Sequence, residues 1–314
     1  MRRKNLLYLF TAIIAMAFTG CSDDSVEKGD YSQYTSGQVT QQVGDNTLYF
    51  YPNEGGMMIS HNRSNMTYEK LVRQNGGSVA VSEGGTGIAG LQDYKGTVEI
   101  PESVDGKAVN AIDERAFAGN TELTGVVIPS TVTSIGAEAF AQCPALPTIT
   151  IPESVTEIKS GTFSGKSVQT IEIPKSITKI GTFVFLKNTQ LTAVTFADEC
   201  ELTEVGASAF RGCTALAGAL TMPDKVTTIG AYAFDGCSKL TELTLPATLT
   251  TLNDQCFKGC SKLVKIHIKA TTPPTVTGNP VFQSKAKIYI PAGTLEAYKN
   301  DAFWSTVSSK LTEE

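Results

Sequence analysis

A phenylalanine, often after alanine, returns along this chain at Phe117, Phe140, Phe163, Phe185, Phe210, Phe234 and Phe257, at intervals of 22 to 25 residues. Seven returns at that regularity define a structural repeat. A unit this short cannot bury its apolar side alone and becomes stable only by stacking on its neighbours. The chain from about residue 94 is therefore constrained to be an array of stacked coils.

The parts of one unit follow from side-chain periodicity. In "LTELTLP" Leu243 and Leu245 fall on one face and Thr244 on the other, the period-two pattern of a half-buried strand. The proline after it lacks an N–H donor and closes the strand, where a coil must turn. In "VTTIG" Val226 and Ile229 are the inward residues of a second, shorter extended segment. "GAYAF" then turns the chain, in a helical or 3₁₀ conformation, and places the phenylalanine in the core. Strand pairing sets coils about 4.8 Å apart. Half copies, "GTVEIP" at 96–101 and "KIYIP" at 287–291, bracket the array.

The pattern AFxGCxxLTxLxLPxxVTxIGxxAF resembles the BspA-like leucine-rich repeat of bacterial surface proteins, over residues 95–292. The resemblance implies a β-rich leucine-rich-repeat solenoid of right-handed superhelical coils of about 23 residues, capped at both ends. It also implies an adhesion-like or host-interaction role. The tail "IYIPAGTLEAYKNDAFWSTV" resembles the closure of such proteins, with Tyr298 and Trp304 covering the last coil. The expected divisions are a leader at 1–20, a tether at 21–65, an N-terminal cap with the first half repeat at 66–110, the array at 111–290 and a C-terminal cap at 291–314. Within the tether, "TLYFY" at 47–51 reads as a strand docking on the array or as an exposed recognition segment.

Three residues past each anchor stand Asn120, Cys143, Lys166, Asn188, Cys213, Cys237 and Cys260. Asn or Cys in this column is the leucine-rich-repeat pattern, in which the side chain points into the coil and meets backbone carbonyls of the turn. Buried free thiols are expected there. Disulfides between stacked, parallel side chains rarely reach the dihedral a bridge requires. Zinc lacks a CxxC pair, and His61 and His267 lie off the column. Cys256 reads as a small core residue, and Cys200, in the irregular turn "ADECE", as the array thiol expected to be exposed.

The N-terminus carries different chemistry. "MRRKN" followed by the apolar run from Leu6 to Phe18 reads as a secretory leader, too short to span a bilayer comfortably. "FTGC" then resembles a lipobox, which implies lipidation of Cys21, and several acyl chains would hold the product stably on a membrane. Ser22, Asp23 and Asp24 resemble the export signal of Bacteroidetes surface lipoproteins. That signal implies an outer-membrane lipoprotein exposed on the cell surface; an acidic, solvated linker facing the periplasm is the alternative.

Net charge is −5, and no basic patch lies beyond the first few residues, which excludes a nucleic-acid footprint. Catalytic constellations are scarce. "SEGGTGIAG" at 82–90 lacks the lysine of a phosphate loop, Glu172 and Glu242 sit in different columns, and His267 reads as a lone outward residue beside Lys265. No enzyme activity, cofactor or metal is expected. What remains is the outward face of the strands, with Thr148, Thr150, Thr170, Glu172, Thr195, Thr221, Glu242, Thr244, Lys265 and His267 as its candidate binding residues. The expected partners are the membrane, through the N-terminal lipid, and an extracellular protein or glycan; an architectural envelope role without a dedicated ligand is the third reading.

Overall fold

A computed structural model describes residues 39–43, 46–53, 56–60 and 94–314. The leader, Cys21, Ser22, Asp23, Asp24, His61, the glycine-rich stretch 82–90 and residues 66–93 of the expected N-terminal cap lie outside the described residues.

The array is a solenoid in which each coil has three sides. On one side run two-residue strands, Glu157–Ile158, Lys179–Ile180, Glu204–Val205, Thr228–Ile229, Thr251–Leu252 and Thr275–Val276, joined in one unbroken parallel sheet. Their second residues form an inward row in which Ile158, Ile180, Val205, Ile229 and Leu252 are buried. β-Branched side chains suit a pleated, half-buried surface, so two residues per coil suffice when six coils repeat them. Gly230, which closes one such segment, lies so near the preceding coil that a Cβ would come within 2.6 Å of the Gly206 carbonyl carbon.

On the second side the anchor turns stack. Tyr232 N–H donates to Asp254 O at 2.9 Å, Phe234 N–H to Cys256 O at 2.9 Å and Gly236 N–H to Lys258 O at 2.7 Å, all in the next coil. Tyr232 and Gly236 have φ of 57° and 78°. Left-handed residues interrupt any helix. The expected helical or 3₁₀ turn is therefore a chain of tight turns, closed by bonds such as Cys237 N–H to Phe234 O at 3.0 Å.

Between these sides the phenylalanines form a continuous stack, with ring centroids 5.0 to 6.3 Å apart from Phe117 to Phe257. Two aromatic anchors outside the seven extend it. Tyr94 packs on Phe117 at 5.0 Å, and Phe282 on Phe257 at 5.7 Å.

The polar column lies beneath this stack. Sγ of Cys143, Cys213, Cys237 and Cys260 points at the anchor carbonyl of the preceding coil, at 3.0 to 3.2 Å. In the short copy the column residue is Ser167, not Lys166. Lys166 is turned to solvent, and Ser167, four residues past Phe163, donates its hydroxyl to Phe140 O at 2.9 Å. Cys200 also departs from expectation. It is buried, with Sγ 3.6 Å from Pro174 O, because the turn closes tightly, Cys200 N–H to Ala197 O at 3.2 Å, and is tied to the preceding coil by Glu201 N–H to Lys175 O at 2.9 Å. No two of the described cysteines are bridged.

The ends are closed differently. Val39–Val43, Asn46–Asn53 and Gly56–Ser60 form an antiparallel meander whose last strand runs parallel to Lys107–Ile112. Leu48, Phe50, Met57 and Ile59 are buried in the same core as the array, so these three strands, which fall in the stretch 21–65 expected to be a tether with a possible short strand, pack on the solenoid. Asn46 clamps the Lys95 backbone twice, donating to O and accepting from N–H, each at 2.9 Å. At the other end a helix, Leu295–Asn300, and a 3₁₀ segment, Trp304–Lys310, cover the last coil. Tyr298 Oη donates to Ala270 O and Trp304 Nε1 to Pro274 O, both at 2.8 Å.

Candidate interaction face

The third side carries the longer strands and the predicted face. Side chains two apart on these strands point outward, and parallel pairing places them in columns. Thr170 pairs with Ala193 and Glu172 with Thr195; beyond them Thr221, Thr244 and His267 follow one another, as do Ala219, Glu242 and Lys265. Thr148 and Thr150 are exposed but sit on a segment, 148–151, that carries no ladder to either neighbour.

The columns extend beyond the predicted residues. His267 is followed by Tyr289 and then Thr312, and Lys265 by Lys287. His267 faces outward as expected, but it is not a lone exposed residue. Its side chain retains 19% of its exposure. Nδ1 lies 2.8 and 2.9 Å from the two Glu314 carboxylate oxygens, and Nε2 faces Glu242 Oε1 at 3.3 Å without hydrogen-bond alignment. The ring stacks on Tyr289 with centroids 4.6 Å apart and planes 10° from parallel. Lys265 Nζ is 3.4 Å from Glu242 Oε2. The partners Tyr289 and Glu314 come from later coils. The alternation in "KIYIP" marks Tyr289 as outward, but only the register places it against His267.

This long-strand side is not one sheet. Ala193–Phe196 pairs only with Thr170–Ile173, whereas Ala217–Thr221 begins a new sheet with Lys239–Leu245, Lys265–Ile268, Lys287–Ile290 and Leu311–Glu313. A groove of about 630 Å³ opens between Ala193–Phe196 and Ala217–Thr221, lined by Thr195, Phe196, Ala219, Thr221, Asp198 and Asp224 among others. Thr195 and Thr221, read as neighbours in one column, face each other across it.

The chemistry available on this surface is that of hydrogen bonds, charge pairs and one stacked ring. Among the described residues no three His, Cys, Asp or Glu side chains converge on a point that could hold a metal ion. The buried thiols are held in the neutral form: desolvation pushes Cys143 and Cys260 up to about 12 and raises Cys213 and Cys237 as well. Among the described residues no helix is long and apolar enough to cross a membrane.

Stacked coils of about 23 residues with an inward aromatic row, a column of short polar or thiol side chains and a patterned outer strand face define a leucine-rich-repeat solenoid, a scaffold class that presents extended surfaces to ligands. The chain belongs to the BspA type leucine rich repeat family, whose repeat region matches residues 110–219 and 203–313, in six copies. No curated protein matches the chain in sequence. Similar solved structures include a leucine rich cell surface protein of Faecalibacterium prausnitzii, 29% identical over 56% of this chain, with a TM-score of 0.39. The chain spans 60% of the length of that protein. A leucine rich repeat protein of T. pallidum is 22% identical, with 87% of this chain and 97% of that one covered and a TM-score of 0.43. One from Bacteroides ovatus is 18% identical, with 80% and 84% covered and a TM-score of 0.41.

Proposed function

We propose that the protein is a cell-surface binding module, tethered by lipid on Cys21 and directed outward by Ser22, Asp23 and Asp24, that engages an extracellular protein through its long-strand face. The observation that carries this reading is the register of the outward columns. Thr221, Thr244, His267, Tyr289 and Thr312 repeat across five coils as one polar, ordered row beside a second row of Glu242, Lys265 and Lys287. A solvated sheet needs no such ordering of charge, whereas a surface that recognises a partner gains register and specificity from it.

Two measurements test the reading. Protease treatment of intact cells cleaves the array if it is outside, and cleavage only after permeabilisation overturns the surface assignment. Binding of the purified protein to extracellular matrix and cell-surface proteins is then compared between the native chain and the double variant Thr244→Arg, Lys265→Glu. Undiminished binding by that variant overturns the assignment of the face. Binding restricted to a glycan array replaces the protein partner by a carbohydrate.

A further inference from the structure

The break in the long-strand side is a groove between two strand edges that no ladder joins. The coils that flank it are stacked normally on their other two sides. Ile180, Val205 and Ile229 pair in series, Phe185 N–H reaches Ala209 O at 2.7 Å and Phe210 N–H reaches Ala233 O at 2.7 Å. On the long-strand side the strands touch only where they start, through Ala217 N–H to Thr192 O at 3.4 Å. Beyond that bond no ladder joins Ala193–Phe196 to Ala217–Thr221, and the groove lined by both strands opens between them. Paired strands lie about 4.8 Å apart, so a gap that accepts one more strand measures roughly 9.6 Å.

The walls of the gap are strand edges of four and five residues, each with a ladder on its outer side and none on its inner side. Unpaired edges of backbone N–H and C=O groups are templates for an added strand. The floor is apolar: Val194 and Leu220 keep 6% and 5% of their exposure, where Leu243 and Ile266 further along the same side keep none. The rim is acidic. Lys225 is tied to Glu201 at 2.6 Å and Glu199 to Lys175 at 2.6 Å, which leaves Asp198 and Asp224 without an ion-pair partner among the described residues.

We propose that this gap receives an extended segment of a partner polypeptide by strand addition, with basic side chains of that segment meeting Asp198 and Asp224. The proposal rests on the reading of the protein as a protein-binding module and names the partner's form: a short extended stretch with lysine or arginine at alternate positions. Alternation matters because every second side chain of an inserted strand points to the solvent-facing rim and the others rest on Val194 and Leu220.

The probe is a capped peptide, acetyl-Lys-Val-Lys-Val-Lys-Val-amide, added to the purified full chain and followed by hydrogen exchange and by titration. Expected are protection of amides in Ala193–Phe196 and Ala217–Thr221, and loss of binding when alternate peptide nitrogens are methylated. Asp198→Asn combined with Asp224→Asn weakens binding about five-fold in low salt, and the difference disappears in about 1 M salt. Ala219→Trp, an exposed position on the groove wall, abolishes binding while the far-ultraviolet circular dichroism is unchanged. Absence of binding, equal binding of the methylated peptide, protection elsewhere on the chain, or self-association that protects the same amides without peptide uptake each overturns the proposal. If the peptide fails while Thr244→Arg, Lys265→Glu still abolishes capture of a protein partner, the strand-addition proposal falls and the protein-binding reading stands.

Discussion

The Sγ of Cys237 lies 3.2 Å from the carbonyl oxygen of Phe210, one coil earlier in the stack. The same geometry recurs from Cys260 to Phe234 O and, with a hydroxyl in place of the thiol, from Ser167 to Phe140 O. Stacking the anchor turns leaves the phenylalanine carbonyl pointing into the coil, where water does not reach it. Phe210 O and Phe234 O each accept one N–H of their own turn, from Cys213 at 3.1 Å and Cys237 at 3.0 Å, and a small side chain one coil ahead, weakly polar in cysteine and fully polar in serine, adds a donor for the second lone pair of a carbonyl that water cannot serve. The column is thus a hydrogen-bonding device that also fits the volume left by the aromatic stack.

Its thiols are expected to be inert. A thiol at about 12, as for Cys143 and Cys260, is present as thiolate to about one part in ten thousand at pH 8, and its sulfur is closed off from solvent. Iodoacetamide treatment of the native chain, followed by peptide mapping, should find Cys143, Cys200, Cys213, Cys237, Cys256 and Cys260 unmodified, and all six alkylated after guanidinium unfolding. Native labelling of Cys237 at the rate of a free thiol would contradict its placement.

Phe234 sits between the rings of Phe210 at 5.2 Å and Phe257 at 6.3 Å and has no exposure. Phe234→Ala removes a ring from a stack that cannot collapse around the void, because backbone bonds fix the coil spacing, and should cost about 3 to 5 kcal/mol. Phe183, two residues before its anchor, retains 42% of its exposure, and Phe183→Ala should shift stability by no more than about 0.5 kcal/mol. Urea unfolding of the two variants beside the native chain checks both. A loss below about 1 kcal/mol for Phe234→Ala places the ring outside the packed stack.

At the C-terminal end Trp304 Nε1 and Tyr298 Oη each serve one backbone carbonyl of the last coil, Pro274 O and Ala270 O. Trp304→Phe keeps most of the apolar cover but orphans Pro274 O, at a cost of about 1 to 3 kcal/mol. Because each coil contacts only its neighbours, the effect should be local. Hydrogen exchange should quicken in Thr275–Val276 and Lys287–Ile290 and stay unchanged in Glu157–Ile158. Uniform acceleration along the array would mean that the cap governs global unfolding instead.

Periodicity made the coil legible because a repeat states the same packing rule seven times. Alternation placed Leu243 inward and Thr244 outward, and the spacing of the phenylalanines placed them in one row. What escaped were features that the rule does not repeat. Tyr94 stands 23 residues before Phe117, but as a different residue type, and Phe282 follows Phe257 after 25 residues that include an irregular, proline-containing turn. Ser167 holds the column four residues past Phe163, one later than in the other coils, a shift that the spacing of the anchors does not show. His267 appeared solitary since its partners, Tyr289 and Glu314, arrive from coils that only parallel register aligns with it. The gap between Ala193–Phe196 and Ala217–Thr221 has a faint signature that the repeat rule hides: Leu216 and Leu220 stand four residues apart where Leu240 and Leu243 stand three, and the strand breaks alternation at Gly218, where its register to the next strand shifts.

Near the end of the array the carboxylate of Asp254 receives Asn279 N–H on Oδ1 at 2.9 Å and the Gln255 side-chain amide on Oδ2 at 2.9 Å. These donors, the Asn279 N–H first, hold its carboxyl below the usual aspartate range. The native state therefore binds this proton less readily than the unfolded chain, whose aspartates titrate near pH 4, at about 3.9. The resulting stabilisation is fully present above that value and is lost as pH falls through the lower, folded one. Asp254→Asn keeps the Oδ1 acceptor for Asn279 and removes the charge. Urea midpoints measured from pH 7 to pH 2 should show the variant less stable than the native chain at neutral pH, with the difference shrinking below about pH 4 and absent near pH 2. A difference constant across that range would assign the loss to altered shape and not to the charge, since only a titrating group can make two stability curves converge.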